Sequence, residues 1–424
     1  MTIRRTTTLL MSGLVATLVG STGAHAAGWD TPILYSAQHM GMGGAAIAYV
    51  DDPSAMFHNP AGLGRTEGLT LMANLSVIFG TITSSPEGVD SARDIESENI
   101  LSTPPLVGVS WKAADIFAAG LGFYPVAAAG ATYKYNDGAK DIENTTEVRF
   151  YELTPAIAFS FFDKKLTIGV DWRITIATLD RVLTKDVGVF DLAMSGTNLA
   201  GFRFGVQYQP IPELQLGAVF RTKTVTTLED SAGLVFSQEP ERDAKIDFTL
   251  PAKLGLGART NLDPIAIVLD FEYAFQSQNQ VSIIETDPPI AGITVNNVFK
   301  WDDGITLRAG LEYELKDPEF DSSWFFRGGF IYDGQVTKEQ YPSAFGTPPG
   351  PTTSVTAGVG YRCGQTWAMN FAVAHRMGTA KVRQSVIDEQ DLADGADKCL
   401  ACSEGGNYKI SLTGIYLDFK YSFL

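Results

Sequence analysis

The stretch DDPSAMFHNPAGLGR, Asp51 to Arg65, sets two carboxylates, a hydroxyl and an imidazole within a few residues of one another. On a short helix Ser54 and His58 stand four residues apart and can be neighbours. With Asp51 or Asp52 they supply the residue types of a hydrolytic triad. The same letters also spell a structural joint. Asp52 suits an N-cap and Pro53 the first helical position, where a missing N–H costs nothing. Pro60 disfavours helical geometry at Asn59, so the helix is expected to run from Pro53 to His58. Gly62 and Gly64 then let the chain turn away. Both aspartates serve as caps, and no oxyanion donor or second catalytic element is identifiable, so the reading is a hinge and not an enzyme.

Other chemical signals are thinner. Gly41-Met42-Gly43-Gly44 has the glycines of a phosphate cradle but no preceding strand or βαβ unit. His39, His58 and His375 have no metal-ligand spacing, and no metal or cofactor is expected. Cys399-x-x-Cys402 reads as a disulfide bracing an external loop, with a half-built zinc site as the alternative; Cys363, on the opposite rim, cannot reach either. Asp388, Glu389, Asp391, Asp394 and Asp397 in the same loop lack the EF-hand spacing and read as a solvated acidic loop.

The elements that position these residues show in the hydropathy pattern. Of 424 residues 45% are hydrophobic and only 19% charged, yet amphipathic helices of period 3.6 are almost absent. Period 2 dominates. Leu269, Phe271, Tyr273 and Phe275 alternate with Asp270, Glu272, Ala274 and Gln276, and Ile415, Leu417, Phe419, Tyr421 and Phe423 with Tyr416, Asp418, Lys420 and Ser422. Fourteen long strands are expected, among them 69–79, 115–123, 149–162, 164–180, 198–209 and 407–424. Long connections such as 124–148, 181–197 and 378–406 alternate with tight turns such as Gln209-Pro210-Ile211-Pro212. That alternation is the signature of a transmembrane antiparallel β-barrel with both chain ends on the short-turn side. The expected fold class is all-β.

Ahead of the barrel, residues 1–26 carry Arg4 and Arg5, an apolar core from Leu9 to Val19, and Ala24-His25-Ala26. This is the pattern of an export signal peptide, too short to span a membrane. The expected division is a signal peptide at 1–26, an N-terminal segment at 27–68 and a barrel at 69–424. With 48 acidic residues against 32 basic ones, and a net charge of −16, nucleic acid is not an expected partner.

The blocks Gly41-x-Gly43-Gly44-Ala45, Asp51-Asp52-Pro53-Ser54-Ala55 and Asn59-Pro60-Ala61-Gly62-Leu63 resemble the N-terminal region of the FadL/TodX family of outer-membrane hydrophobic-compound transporters. Weaker pieces such as LPAKLGLGARTN and WFFRGGFIYDGQV resemble its successive strands. The resemblance implies a monomeric barrel of fourteen strands with the N-terminal segment folded inside as a hatch, passing long-chain fatty acids or aromatic hydrocarbons inward without an energy source. It also implies sideways release through a gap where a strand kinks near the hatch. Outer-membrane lipid, lipopolysaccharide and the barrel assembly machinery are then expected partners. A general diffusion porin is the rival, disfavoured by a hatch.

Within that frame Met40, Met42, Ile47 and Tyr49 are candidates for the ligand path, and Phe190, Leu234, Phe236 and Phe345 for an apolar landing surface among the external loops. Arg173, Arg308 and Arg327 fall on the lumenal face. Each either receives a ligand carboxylate through a charge-assisted fork or closes an internal ion-pair ladder with Asp171, Glu312 and Asp418.

Overall fold

The computed structural model describes residues 28, 36–86, 95–136, 141–185, 188–230, 243–287, 295–342, 350–399, 402 and 405–423. The expected signal peptide and the loop residues Leu234, Phe236 and Phe345 lie outside them, as does the side chain of Phe190.

Fourteen antiparallel staves close on themselves. In chain order they are β1 (Leu69–Pro86), β2 (Pro105–Ala114, with outlying pieces Ile95–Glu96 and Ile100–Ser102), β3 (Phe117–Asn136), β4 (Asp141–Phe161), β5 (Leu166–Lys185) and β6 (Gly188–Ile211). Then come β7 (Leu214–Arg221 and Thr224–Asp230), β8 (Asp243–Leu250 and Lys253–Leu262), β9 (Ile265–Ala274 and Val281–Asp287) and β10 (Val295–Val298 and Gly304–Asp317). Finally β11 (Ser322–Asp333), β12 (Thr352–Cys363), β13 (Trp367–Val382) and β14 (Gly406–Phe423) complete the ring. Closure runs from Leu69 opposite Phe423 to Pro86 opposite Gly406. Closing the sheet leaves no unpaired edge, the requirement for strands in hydrocarbon. The aromatic and aliphatic residues expected outside, Trp172, Leu269, Phe271, Leu417 and Phe419 among them, are exposed on the outer wall.

The strands run further from the chain-end rim than the alternation suggests. Much of 124–148 and 181–197, expected as loop, is strand. A bulge explains each case. Val126 is the extra residue where Pro125 pairs with Tyr151 and Ala127 with Phe150. One extra residue in β6 falls between Asn198 and Gly201, opposite Arg173 to Thr175. Each bulge shifts the inward and outward phase by one. The acidic stretch in the last external connection is also not a plain loop: Gln384–Asp394 forms an 11-residue helix, α3.

The segment before β1 sits inside the ring. It comprises α1 (Ala37–Met40), a glycine turn, an extended stretch, α2 (Ala55–His58) and a 3-10 helix Pro60–Arg65. The Asp52 carboxylate accepts from the Ser54 N–H at 2.8 Å, but α2 starts two residues later than expected: Ser54 and not Asp52 stands at its N-cap, without a side-chain cap, and Pro53 lies in the turn before it. Pro60 ends α2 but opens the 3-10 helix, whose first turn Asn59 caps through Ala61 N–H to Asn59 Oδ1 (3.1 Å). The expected glycine-led exit is therefore helical.

Candidate functional site: the lumen and its plug

Wall carboxylates hold the plug by its backbone. Asp418 of β14 accepts from the Gln38 N–H (3.0 Å) and the Ser36 hydroxyl (3.1 Å). Asp270 of β9 accepts from the N–H groups of Ala46 (2.7 Å) and Ile47 (3.0 Å). The Gly43 N–H donates to the Thr356 hydroxyl, 3.0 Å. Asn59 gathers the other end: its Nδ2 donates to the carbonyls of Ile47 (2.8 Å), Val206 (3.2 Å) and Ala218 (3.3 Å). One buried amide thus ties the extended stretch at Ile47 and the turn at Asn59 to β6 and β7.

Glycines on both partners let backbone meet backbone. Gly43 has φ +69, and a Cβ there would come 2.7 Å from the Ala309 carbonyl oxygen. On the wall, a Cβ at Gly329 would lie 2.1 Å from Gly43 N, and at Gly310 2.3 Å from the Met42 oxygen. Under the Asn-Pro-Ala block, a Cβ at Gly217 would lie 2.1 Å from the Ile47 oxygen and at Gly205 1.9 Å from Asn59 Oδ1. Contact distances that short leave no room for any side chain.

Around and beside this seat the lumen is ionic. Arg173 pairs with Glu152 (2.5 Å), and Arg203 reaches both Glu152 (3.3 Å) and Asp171 (3.2 Å) while donating to the Met56 carbonyl of the plug. Arg308 pairs with Glu272 (2.6 Å); Arg327 and Arg259 share Glu312 (2.7 Å each). Tyr124 of β3 donates to the same Met56 carbonyl, 2.6 Å. Buried charges in this state are paired and hydrogen-bonded, as the desolvation penalty demands.

Two imidazoles inside the plug are different. The His39 and His58 rings meet edge to face at 5.0 Å, and both His39 nitrogens and His58 Nε2 lack a hydrogen-bond partner among the described residues. Burial pushes both rings below the ordinary histidine range; Asp52 and Asp51 partly offset this for His39, while His39 itself adds to the depression of His58. Burial alone would raise the Asp51 carboxyl, but Lys420 and the Tyr49 hydroxyl outweigh it and hold Asp51 low. The Ser54 hydroxyl is bonded to Asp52 (2.5 Å).

Further from the chain-end rim the lining turns apolar. Val148 and Phe150 of β4, Leu179 of β5, Leu192 and Met194 of β6, Leu228 of β7 and Ile246, Phe248 and Leu250 of β8 cluster with Phe299, Trp301 and Val336. Phe150 and Phe248 meet edge to face at 6.2 Å. Where this apolar stretch meets the plug there is a cavity of about 60 Å³. It is lined by Ile47, Phe57 and His58 of the plug, Val126 at the β3 bulge, and Arg203, Arg221, Lys253, Asp270, Glu272 and Arg308 of the wall.

A sequence profile of outer membrane protein transport proteins (OMPP1/FadL/TodX) matches residues 17–423. The chain belongs to this family. Its members are hydrophobic-compound transport channels of the outer membrane and not enzymes. No curated protein matches the sequence significantly. Among solved structures, a Pseudomonas aeruginosa FadL homologue is 16% identical with a TM-score of 0.75, covering 94% of this chain and 100% of that one. The Pseudomonas putida toluene transporter TodX is 16% identical, TM-score 0.65, covering 95% and 100%. The Ralstonia pickettii toluene transporter TbuX is 18% identical, TM-score 0.66, covering 94% and 100%. At these identities the likeness is one of fold.

For this family member the structure separates the residues singled out in the sequence. Gly41, Gly43, Gly44, Asp51, Asp52, Pro53, Asn59, Pro60 and Ala61 all belong to the plug and its seat, with Pro53 packed toward Gly108 of β2. Met40 packs with Ile331, Ala372, Ala374 and Tyr416, and Met42 with Ala45 and Val268, both against the wall. Ile47 borders the cavity, and Tyr49 lies between Arg65 (5.7 Å) and Arg259 (5.2 Å). Arg173, Arg308 and Arg327 are each in an ion pair, and of the three only Arg308 lines the cavity. Cys399 and Cys402 are bonded to each other and rest on Val298 of β10. The reading missed Glu152, Arg203, Arg221 and Lys253, and the whole apolar upper lumen. Parity was available for Arg203, inward in GFRFGVQYQ, whereas the apolar lining lies beyond the bulges.

Proposed function

We propose that this channel carries hydrophobic molecules bearing an anionic group, with long-chain fatty acids as the substrate class, from the external face inward. One observation carries the reading: the apolar upper lumen ends on a cavity floored by Arg203, Arg221, Lys253 and Arg308 against the two carboxylates of Asp270 and Glu272. An acyl chain is matched by the first and a carboxylate by the second, where Arg and Lys supply charge-assisted hydrogen bonds. The cavity of about 60 Å³ accommodates a headgroup while the chain occupies the lumen above.

In the same reading the plug acts as a hatch. The cavity touches Ile47 and His58 on the plug and Val126 at the β3 bulge. Pro125 beside that bulge brings no N–H to the ladder, which favours sideways release there. Release then requires Met56 to leave Tyr124 and Arg203. Export through a cleaved leader at 1–26, folding by the barrel assembly machinery, and work as a monomer among lipopolysaccharide complete the proposal.

A second reading, aromatic hydrocarbons, is favoured by the Phe150–Phe248 and Phe299–Trp301 pairs, which offer ring edges and faces and ask for no charge. Uptake of labelled oleate and labelled toluene by cells lacking their own transporter separates the two. Oleate uptake conferred by the wild-type chain and lost in Arg221→Met/Lys253→Met supports the first; toluene uptake indifferent to that pair of changes supports the second; neither ligand carried by a folded barrel overturns both.

A further inference from the structure

Strands β8 and β9 are zipped from Leu262 opposite Ile265 to Lys253 opposite Ala274, and a Phe275 N–H to Ala252 carbonyl bond of 2.9 Å tops that ladder. They pair again only at the far end, from Lys245 opposite Glu285 to Asp243 opposite Asp287. The two registers differ by three residues, the length of the 3-10 turn Gln276–Gln278 in β9. Pro251 sits in the break and has no N–H to give. Across the interval, side chains bridge instead: the Ala252 N–H donates to Gln278 Oε1 (2.9 Å) and the Ser282 hydroxyl to the Asp247 carbonyl. Side-chain bridges can swing aside on a timescale on which a backbone ladder does not.

The lumenal face of this seam is apolar, and its outer face is apolar on β9 and polar on β8, where Thr249 and the exposed Asp247 stand. Phe248, Leu250 and Ile284 line its lumenal side within the apolar cluster. Val281 and Ile283 stand on its outer side, 47% and 45% exposed. Asp247, which accepts from the Thr227 hydroxyl (2.6 Å), and the Lys245–Glu285 ion pair (2.9 Å) just beyond mark where the outer surface turns polar. A barrel in lipid pairs its backbone wherever it can, and irregular backbone is tolerated there only where it is buried in protein or lines a cavity. A lapse at the upper boundary of the apolar band, opening on an apolar lumen, has the form of a passage.

We infer that the β8–β9 seam is a side port through which apolar molecules dissolved in the outer leaflet slip between the strands into the upper lumen. This rests on the upper lumen being the ligand path, and it adds a way in that bypasses the external loops. It is separate from the release point at the β3 bulge, which lies at plug level.

Two measurements test it in a Cys363→Ser background. In the first, a bimane label on Ile284→Cys is compared with one on Leu179→Cys, an equally lumenal position on β5, in vesicles of phosphatidylcholine bearing a nitroxide near the head of one acyl chain. The port predicts at least threefold stronger quenching at position 284; equal quenching overturns it. In the second, Thr249→Cys and Val281→Cys are stitched with a short bis-methanethiosulfonate, each thiolate displacing a sulfinate, against a matched stitch at Val109→Cys/Leu121→Cys in the intact β2–β3 ladder. Oleate or toluene uptake should fall about tenfold with the first stitch and hold with the second. Uptake unaffected by the seam stitch overturns the port and leaves the transport reading standing; a barrel that carries neither ligand unstitched overturns the transport reading, and the quenching ratio then decides the port by itself.

Discussion

The lower and upper halves of the lumen are built from the same strands yet present opposite chemistry. Near the plug, inward positions carry Glu152, Asp171, Arg173, Arg203, Glu272 and Arg308, all in ion pairs. Further out the same strands turn Phe150, Leu179, Met194 and Phe248 inward. A barrel that merely needed to fill its interior would have no reason to divide it. The division gives the plug a polar seat of backbone-directed carboxylates and leaves an apolar chamber beyond it. Rigidity belongs to the first half, and the second is the chamber proposed for ligand.

The sharpest way to break the contrast is to unbalance the ionic half. Glu152 is shared by Arg173 and Arg203 in a fully buried site, so Glu152→Ala leaves the Arg173 guanidinium without its carboxylate and Arg203 with Asp171 alone. A loss of about 3–5 kcal/mol is expected, read as a lower unfolding temperature of the barrel in heat-modifiability gels. The matched change Phe248→Ala in the apolar half should cost less barrel stability while impairing ligand.

Next in size is the plug itself. Asn59→Ala with Pro60→Ala removes the cap and the three amide bonds to Ile47, Val206 and Ala218, about 2 kcal/mol of local stability. The barrel should still assemble, the plug should become open to protease, and uptake should collapse. Unchanged protease resistance would contradict the seat described above.

These elements were unequally legible in the sequence. Alternation exposed the barrel because one face of each strand is apolar and the other is not, and Asn59-Pro60 announced a capped joint. The expected β3 ended at 123 and the expected β6 began at 198, each beside a bulge that flips the phase. Past Val126, Ala127 points inward where even-numbered residues had done so before, and a period-2 reading loses the strand there. In the upper barrel the strands turn apolar residues such as Leu179, Ile246 and Phe248 inward and Asp180, Lys245 and Asp247 outward, so the apolar-out contrast of the lipid-facing band is reversed there. Ion-pair partners such as Glu152 with Arg173 sit on different strands, and register was needed to join them.

A subtler separation concerns the headgroup. Lys253→Met with Arg221→Met should weaken oleate binding about tenfold, near 1.4 kcal/mol, and leave toluene unchanged, measured as ligand titrations on purified protein. Equal losses for both ligands would move the decisive contacts into the apolar chamber.

The smallest expected effect is that of pH. His58 is held well below its ordinary value near 6.5, so it binds a proton more readily once unseated from the plug. The neutral ring's contribution is therefore complete above about pH 6.5 and is lost as pH falls toward the lowered value. Asp51, also held low, loses its contribution only below the carboxylate range. Hydrogen exchange across 45–65, corrected for the pH dependence of intrinsic amide exchange, should quicken modestly from pH 7.5 to 5.5 in the wild type and less in His58→Phe. Equal acceleration in both would remove the histidine from the account.

The most direct test of the divided lumen is oleate uptake by Phe150→Asn/Phe248→Asn in cells lacking their own transporter, with heat-modifiability and protease resistance of the plug measured alongside. The account predicts uptake reduced at least tenfold with barrel and plug intact. Uptake at the wild-type rate through a chamber made polar would contradict it.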